Sequence, residues 1–172
     1  IGVNSFKVEG RMRGIYYIAT VIHTYRRILD SLSNHTLTES DLKYSLDILN
    51  RCANRESTPQ FFESLPGQKE QYFLGRDEVS NQDFLGLVKG YDQENQWVIL
   101  EERNIFRIGD TVEFFGPNLE TFSCTLRTIY DEENNKIEVA NHPGMIIKIP
   151  VPIILHEFDM MRLKVFDKQD YV

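Results

Sequence analysis

The chain has 172 residues, 41% of them hydrophobic, which is enough for one full core and a smaller helical piece. Its formal net charge of −7 is unevenly spread: residues 1–55 carry eight Lys or Arg against five Asp or Glu, and residues 84–172 carry nine against fifteen. A polyanion would therefore be attracted to the first third and repelled by the rest, and no apolar run is long enough to cross a bilayer.

The sequence begins Ile-Gly-Val, without an initiating Met or an apolar leader, so we expect it to be an excised or processed part of a longer protein. Its two cysteines, Cys52 and Cys124, are far apart and show no CxxC spacing. Reduced thiols fit this arrangement better than a disulfide framework does. The expected location is the cytoplasm.

The first candidate functional residues lie in residues 5–14, SFKVEGRMRG. Side chains of a strand alternate between two faces, which would place Lys7 and Glu9 on the same face, and a glycine would then let the backbone turn into a helix. The segment is predicted to be a strand–loop–helix unit. The alternative is an ordinary Lys7–Glu9 salt bridge on a solvated edge.

Two helices are predicted after Gly14. Apolar residues recur with the 3.6-residue period of a helix that has one buried stripe, at Ile15, Ile18, Ala19, Ile22, Tyr25 and Leu29. Thr38 with Asp41 three residues later resembles a capping box, which predicts a second helix as far as Ala53. The two helices are expected to be antiparallel.

Beyond the helices, residues 56–83 lose all periodicity and contain Pro and Gly in an acidic stretch, which predicts a linker. From residue 84 the pattern has a period of two, and the predicted strands are Phe84–Tyr91, Trp97–Glu101, Thr111–Phe115, Phe122–Tyr130, Lys136–Val139 and Met161–Phe166. Many short strands with polar turns predict an antiparallel barrel or sandwich. Prolines at 143, 150 and 152 argue against a central strand around Ile146–Leu155, so an edge or crossing segment is expected there.

Aromatic residues of the predicted strands, Trp97, Phe114, Phe115 and Phe122, are expected to form core rather than a base-stacking surface. Catalytic motifs are scarce. His156-Glu157 begins like a zinc-protease HExxH helix, but Met160 stands where the second His belongs. A Cys–His nucleophile stays an open alternative, although the neighbourhoods of both cysteines resemble core positions.

The run FKVEGRMRGIYYIATVIHTYRRILD closely resembles the signature K-[IV]-E-G-R-x-[KR]-x-x-Y-Y-[IV]-A-x-V of the collagenase-like peptidases, peptidase family U32. The Asn54-Arg55 pair and the run LGLVKGYDQENQWVILEERNIFRIGDTVEFFGP resemble later segments of the family. The resemblance implies that residues 1–55, a strand end and two helices, are the tail of a TIM-barrel-like catalytic domain, with residues 56–83 as linker and 84–172 as the C-terminal domain. The pattern departs after Arg55, where the family has a Thr-Thr-Gly-Phe-like run.

The resemblance also implies a substrate site, because loops after the strands of such a barrel face the active-site mouth. The residues expected to form this site are Lys7, Arg11, Arg13 and Arg55, which would bind an anionic substrate, and Glu9, which would orient the cations. Members of the family are named for collagen degradation, while others hydroxylate tRNA or rRNA bases. We favour RNA, because the chain offers Lys and Arg but no recognisable nucleophile or metal centre. The alternatives are a peptidase whose β-barrel recognises a protein substrate and a partner-docking structural module.

In several family members a cysteine cluster upstream of this segment is thought to hold an iron–sulfur cluster, so we expect this part of the chain to bind no cofactor and to be inactive alone. Residues 106–114 resemble the strand start in the second-domain barrels of translation elongation factors. The predicted fold class is therefore α+β, a helical pair followed by an antiparallel β-barrel of that kind. Separated from the rest of a barrel, the helical pair is expected to contact the β domain or a second copy, forming a homo-oligomer.

Overall fold

The structure, a computed structural model, describes residues 2–53, 61–62, 65–68 and 82–171. The chain divides into two compact units. The helical unit comprises Ile1–Asn81 with Lys168–Val172, and the β unit comprises Gln82–Asp167. The predicted linker, residues 56–83, and Arg55 lie largely or wholly outside the described residues. Among the described residues, no helix has both the length and the apolar character to cross a membrane.

The helical unit contains α1, Ile15–Ser33, and α2, Glu39–Cys52, as predicted. The capping box is confirmed: the Asp41 N–H donates to Thr38 Oγ1 at 3.1 Å, and the Thr38 N–H donates to Asp41 Oδ2 at 3.0 Å. α1 ends at Ser33, and His35, two residues further on, is in the left-handed region with φ 57°. The Thr36 N–H donates to Ser31 O at 2.9 Å. This closing hydrogen bond reverses the chain between the helices.

The end of the chain contacts α2 through a short 3-10 helix, Lys168–Tyr171. Lys168 forms an ion pair with Asp41, and the Tyr171 hydroxyl donates to Asp47 Oδ2 at 2.5 Å. Hydrogen bonds from Lys168 and from the Thr38 hydroxyl lower the pKa of Asp41 to about 2. The last residues therefore belong to the helical unit.

One prediction for the helical unit is wrong in this chain. Residues 2–10 have no regular secondary structure, so the strand expected at residues 5–9 is not formed. A strand needs a partner for its backbone groups, and within the described parts of the chain none pairs with this segment. The segment instead lies along α1, where the Phe6 ring is 5.7 Å from the Tyr25 ring and Gly10 contacts Ile18.

The buried face of α1 also differs from the predicted stripe. Ile15 and Ile22 are 53% and 51% exposed, whereas Val21 and Thr24 are buried. α1 contacts α2, and the buried residues of α1, Thr20, Val21 and Thr24, lie beside the predicted stripe rather than on it. Most of the apolar stripe is therefore a surface in this chain.

The β unit contains ten strands: β1 Phe84–Asp92, β2 Trp97–Glu102, β3 Phe106–Arg107, β4 Thr111–Gly116, β5 Leu119–Thr125, β6 Ile129–Tyr130, β7 Lys136–Ile137, β8 Val139–Ala140, β9 Ile146–Pro150 and β10 Met160–Leu163. Eight of them form one sheet in the order β5-β4-β10-β1-β2-β9-β6-β7, and β3 pairs with β8. All described pairings are antiparallel, as predicted. The strand order ends at β5 and β7, so hydrogen bonds between described strands close no barrel.

The expectation for Ile146–Leu155 is wrong, because β9 lies between β2 and β6 inside the sheet. Proline is excluded from central strands because it lacks an N–H donor. Pro150 is the last residue of β9, opposite Trp97, and the prolines at 143 and 152 fall outside the strand. The missing donors therefore do not interrupt the pairing.

The core of the β unit lies on one face of the strands and includes Val88, Leu100, Phe114, Ile147 and Met161, all fully buried. Phe114 is in this core as predicted, and Phe122 packs against it. Phe115 is buried at 1% exposure. Trp97 is not a core residue: it is half-buried, and its ring stacks on Tyr130 with centroids 4.7 Å apart.

Candidate functional site

The predicted anion-binding residues lie in the segment that precedes α1, here called the basic turn, residues 7–13. Lys7, Glu9 and Arg11 are exposed, and Arg13 is half-buried. The Arg13 N–H donates to Gly10 O at 2.9 Å, and the Arg11 N–H donates to Glu9 Oε1 at 2.9 Å. These two local hydrogen bonds fix the backbone of the basic turn, and in one of them the Glu9 carboxylate accepts from the backbone N–H of Arg11.

The start of α1 adds positive potential next to the basic turn. Its N-cap is Gly14, no side chain caps it, and its first turn contains no acidic residue. The N-terminus of an α-helix carries a partial positive charge and N–H groups that suit an anion. The Arg13 guanidinium lies over the Tyr17 ring, 5.1 Å from its centroid, which holds the cation near this end.

The structure thus places four of the five predicted residues, Lys7, Glu9, Arg11 and Arg13, in one short segment ahead of a helix N-terminus. Arg55 lies outside the described residues. Tyr17 and the uncapped helix start were missed in the sequence. Their signals were present: an aromatic four residues after Arg13, and Gly where Ser, Thr, Asp or Asn would cap. The arrangement is suited to binding a phosphate, since it combines fixed donors with clustered cations.

A second unusual group is Glu102, whose side chain is completely buried in the β unit. Its Oε2 accepts a hydrogen bond from the His142 N–H at 3.1 Å, and its Oε1 has no hydrogen-bond partner among the residues that the structure describes. Burial raises the pKa of Glu102, and the His142 N–H only partly opposes this. Burying this carboxyl costs free energy, and its hydrogen bond to the His142 N–H holds the loop before β9 in place.

Replacing Glu102 by glutamine is expected to raise the stability of the β unit at neutral pH. The folded state binds the Glu102 proton more tightly than the unfolded state does, because burial raises the pKa of this carboxyl. The contribution of Glu102 to the free energy of unfolding is therefore most favourable below the unfolded-state pKa, and it declines as pH rises through the folded-state pKa. Glu102→Gln keeps an acceptor for the His142 N–H and removes the titration. Thermal unfolding between pH 4.5 and 8 should show the variant gaining stability over the wild type as pH rises; parallel curves would contradict the expectation.

Comparison with known proteins assigns the family. Residues 1–72 match the sequence model of Peptidase family U32, and residues 80–162 match that of the Peptidase family U32 C-terminal domain. The chain belongs to peptidase family U32. The resemblance found in the sequence is therefore confirmed.

Relatives of this U32 chain include tRNA hydroxylation proteins. It is 41% identical over 162 residues to tRNA hydroxylation protein P1 of Bacillus subtilis, a match that covers 94% of this chain and 38% of the relative. Its identity to tRNA hydroxylation protein P of Escherichia coli is 26% over 153 residues, covering 88% of this chain and 33% of the relative. The chain thus spans between 33% and 38% of the length of these proteins.

A solved structure of the C-terminal domain of a U32 protein from Geobacillus thermoleovorans is also similar to this U32 chain. The sequences are 44% identical, the match covers 47% of this chain and 99% of that domain, and the TM-score is 0.46.

The iron–sulfur cluster expected upstream in the U32 family does not fit the residues of this chain. Such clusters are usually held by four cysteine thiolates. The chain has two cysteines, Cys52 in the helical unit and Cys124 in the β unit. In the parts of the chain that the structure describes, no three His, Cys, Asp or Glu side chains form a group that could hold a metal ion.

Proposed function

We propose that this chain is part of a protein that takes part in tRNA hydroxylation, and that the basic turn contacts the tRNA backbone. The observation that carries the proposal is the 41% identity over 162 residues to tRNA hydroxylation protein P1. The geometry supports it, because Lys7, Arg11 and Arg13 precede the uncapped start of α1. RNA is the substrate class that this combination of cations and backbone N–H groups suits best.

Reversing two charges of the basic turn is expected to weaken tRNA binding. Removing a cation that neutralises a phosphate lowers affinity and reduces the salt dependence of binding, so Arg11→Glu with Arg13→Glu should lower affinity by about tenfold or more near 0.1 M salt. The matched control is Arg107→Glu with Lys136→Glu, which changes net charge equally in the β unit. A filter-binding assay measures the tRNA affinity of both double variants. Equal losses of affinity in the two double variants would contradict a specific role of the basic turn.

The biological role is tested by nucleoside mass spectrometry of tRNA from cells that lack the gene encoding the full protein. We expect a hydroxylated nucleoside to disappear, to return with the wild-type gene, and to stay low with the Arg11→Glu, Arg13→Glu double variant. An unchanged nucleoside profile would reject the RNA proposal and leave the peptidase alternative.

We further propose that the helical unit completes a larger TIM-barrel-like domain, in which the stripe of α1 and residues 5–9 find their missing partners. Two facts support this: Ile15 and Ile22 are more than half exposed, and the first 72 residues match the U32 family model in a chain that spans 38% of its relative. The likeness of the β unit to elongation-factor second domains stays a prediction.

The barrel proposal predicts that substitutions on the stripe act only in the full-length protein. Ile15→Ser with Ile22→Ser should change the Tm of the 172-residue chain by little, because both side chains are exposed, yet lower the Tm of the full protein by several degrees. Val21→Ser, at a position 6% exposed, should destabilise both and is the control. Equal effects of the double variant in both proteins would contradict the proposal. A dimer of the chain that the double variant dissociates would favour a second copy as the partner.

A further inference from the structure

The turn His156–Asp159 contains an aromatic residue in a backbone conformation that suits glycine. The Asp159 N–H donates to His156 O at 3.1 Å, and Phe158, third in this four-residue turn, has φ 74°. Turns with positive φ at the third position normally contain Gly or Asn there, because a bulky side chain is strained in the left-handed region. The Phe158 side chain is also 63% exposed.

Hydrogen bonds hold the turn rigidly against β1. The Phe158 N–H donates to Val88 O at 3.0 Å, and the Val88 N–H donates to Asp159 O at 2.8 Å. Asp159 is buried, and its Oδ2 accepts from the His156 N–H at 2.8 Å. The surrounding structure therefore imposes the conformation of Phe158, as strained functional positions require.

Neither the left-handed backbone conformation of Phe158 nor its exposed ring is needed for the fold of the β unit. A glycine would make the same turn without strain, and a largely exposed ring buries little apolar area. Ile154, in the same loop, is 55% exposed. An exposed aromatic ring on a backbone held by hydrogen bonds is the type of feature that anchors protein interfaces, since such a ring loses little entropy when it is bound.

The charge of the β unit indicates which partner suits these anchors. Residues 82–167 contain fifteen acidic and eight basic side chains. Five of the eight are already engaged: Lys89 and Arg103 with Glu101, Lys148 with Glu132 O and Asn134, Arg162 with Glu113, and Lys164 with Asp167. Such a unit repels phosphates and attracts a basic surface.

We propose that Phe158 and Ile154 form a docking site for a basic protein segment that presents an apolar pocket or side chain. The inference goes beyond the tRNA proposal and is independent of it, because it uses no residue of the helical unit. A site of this kind would recruit a protein partner to the β unit while the helical unit binds another ligand.

Site-specific crosslinking tests the proposal. The photoreactive phenylalanine analogue p-benzoylphenylalanine replaces Phe158 in the full chain, cells are irradiated, and mass spectrometry identifies the crosslinked peptide and its charge. The control carries the analogue at Ile108, which is 42% exposed elsewhere on the β unit. We expect a protein adduct whose crosslinked peptide has net positive charge, at a yield well above the control. An adduct with RNA, an acidic or neutral crosslinked peptide, or a yield equal to the control would overturn the proposal.

Two variants separate docking from folding. Ile154→Asn, added to the crosslinking chain, should lower the adduct yield roughly tenfold, because hot-spot side chains dominate such interfaces. Phe158→Asn in the otherwise wild-type chain should leave the Tm unchanged or raise it, because asparagine tolerates the left-handed conformation. A lower Tm for Phe158→Asn would show that the ring stabilises the fold. An unchanged adduct yield with Ile154→Asn would show that Ile154 does not contribute to binding. Either result overturns the proposal as stated.

Discussion

Replacement of Glu113 by alanine is expected to destabilise the β unit by about 3–5 kcal/mol, because it breaks a buried ion pair and leaves the other charge behind. Glu113 on β4 is directly opposite Arg162 on β10. Glu113 Oε2 accepts a hydrogen bond from Arg162 Nε at 2.8 Å and forms an ion pair with Arg162 Nη2 at 2.8 Å, and each side chain is only 5% exposed. The guanidinium also lies over the Phe115 ring, 4.8 Å from its centroid. Without the carboxylate, the buried Arg162 cation would lose its ion pair with Glu113.

The measurement is urea unfolding followed by the fluorescence of Trp97, the single tryptophan of the chain, which lies in the β unit. The control is Glu101→Ala, which removes a more exposed carboxylate paired with Arg103 at 2.7 Å and should cost less than about 1 kcal/mol. Replacing both partners, Glu113→Leu with Arg162→Met, should recover much of the stability, because neither position then holds a buried charge. Similar costs for Glu113→Ala and Glu101→Ala would contradict the expectation.

Replacement of Gly116 by alanine is expected to cost about 2–4 kcal/mol, since it combines overpacking with the loss of a buried hydrogen bond. A Cβ atom on Gly116 would lie 1.7 Å from Asp159 Oδ1 and 2.7 Å from its Cγ. Asp159 cannot move away cheaply, because it is buried and accepts from the His156 N–H. The substitution should therefore disturb the turn that carries Phe158 as well as the end of β4.

Gly90→Ala is the matched control for this prediction, because a Cβ atom there would meet nothing within 4 Å. Its unfolding free energy should stay within about 0.5 kcal/mol of the wild type. Adding Asp159→Ala to Gly116→Ala should cost less than the sum of the two single changes, because the clash disappears with the carboxylate. Additive costs would show that Gly116 is required for another reason.

Much of the local structure followed from the sequence. The helical period after Gly14 and the Thr38–Asp41 spacing predicted both helices and the cap between them, because these features depend on interactions within a few residues. The period of two from residue 84 predicted antiparallel strands in the same way. The charged segment ahead of α1 was also recognised as a candidate site, although its strand conformation was not correct.

Other features depend on which segments meet. The stripe of α1 has the period of a buried face, but burial requires a partner, and the helical unit buries Val21 and Thr24 instead. Prolines near β9 suggested an edge strand, yet the register places Pro150 at the strand end, where no donor is needed. The periodicity of a sequence indicates that one face of a helix or strand is apolar, but it does not indicate which segment packs against that face.

The sequence by itself determined the family, the two helices, the alternating strands and the concentration of positive charge near the start of the chain, because each is encoded within short runs of residues. Only the tertiary structure decided that Glu113 and Arg162, 49 residues apart, form a buried pair, that Glu102 is enclosed, and that Phe158 is forced into a left-handed turn. These depend on strand register and on hydrogen bonds between distant segments, and no local pattern specifies which distant residues will be neighbours.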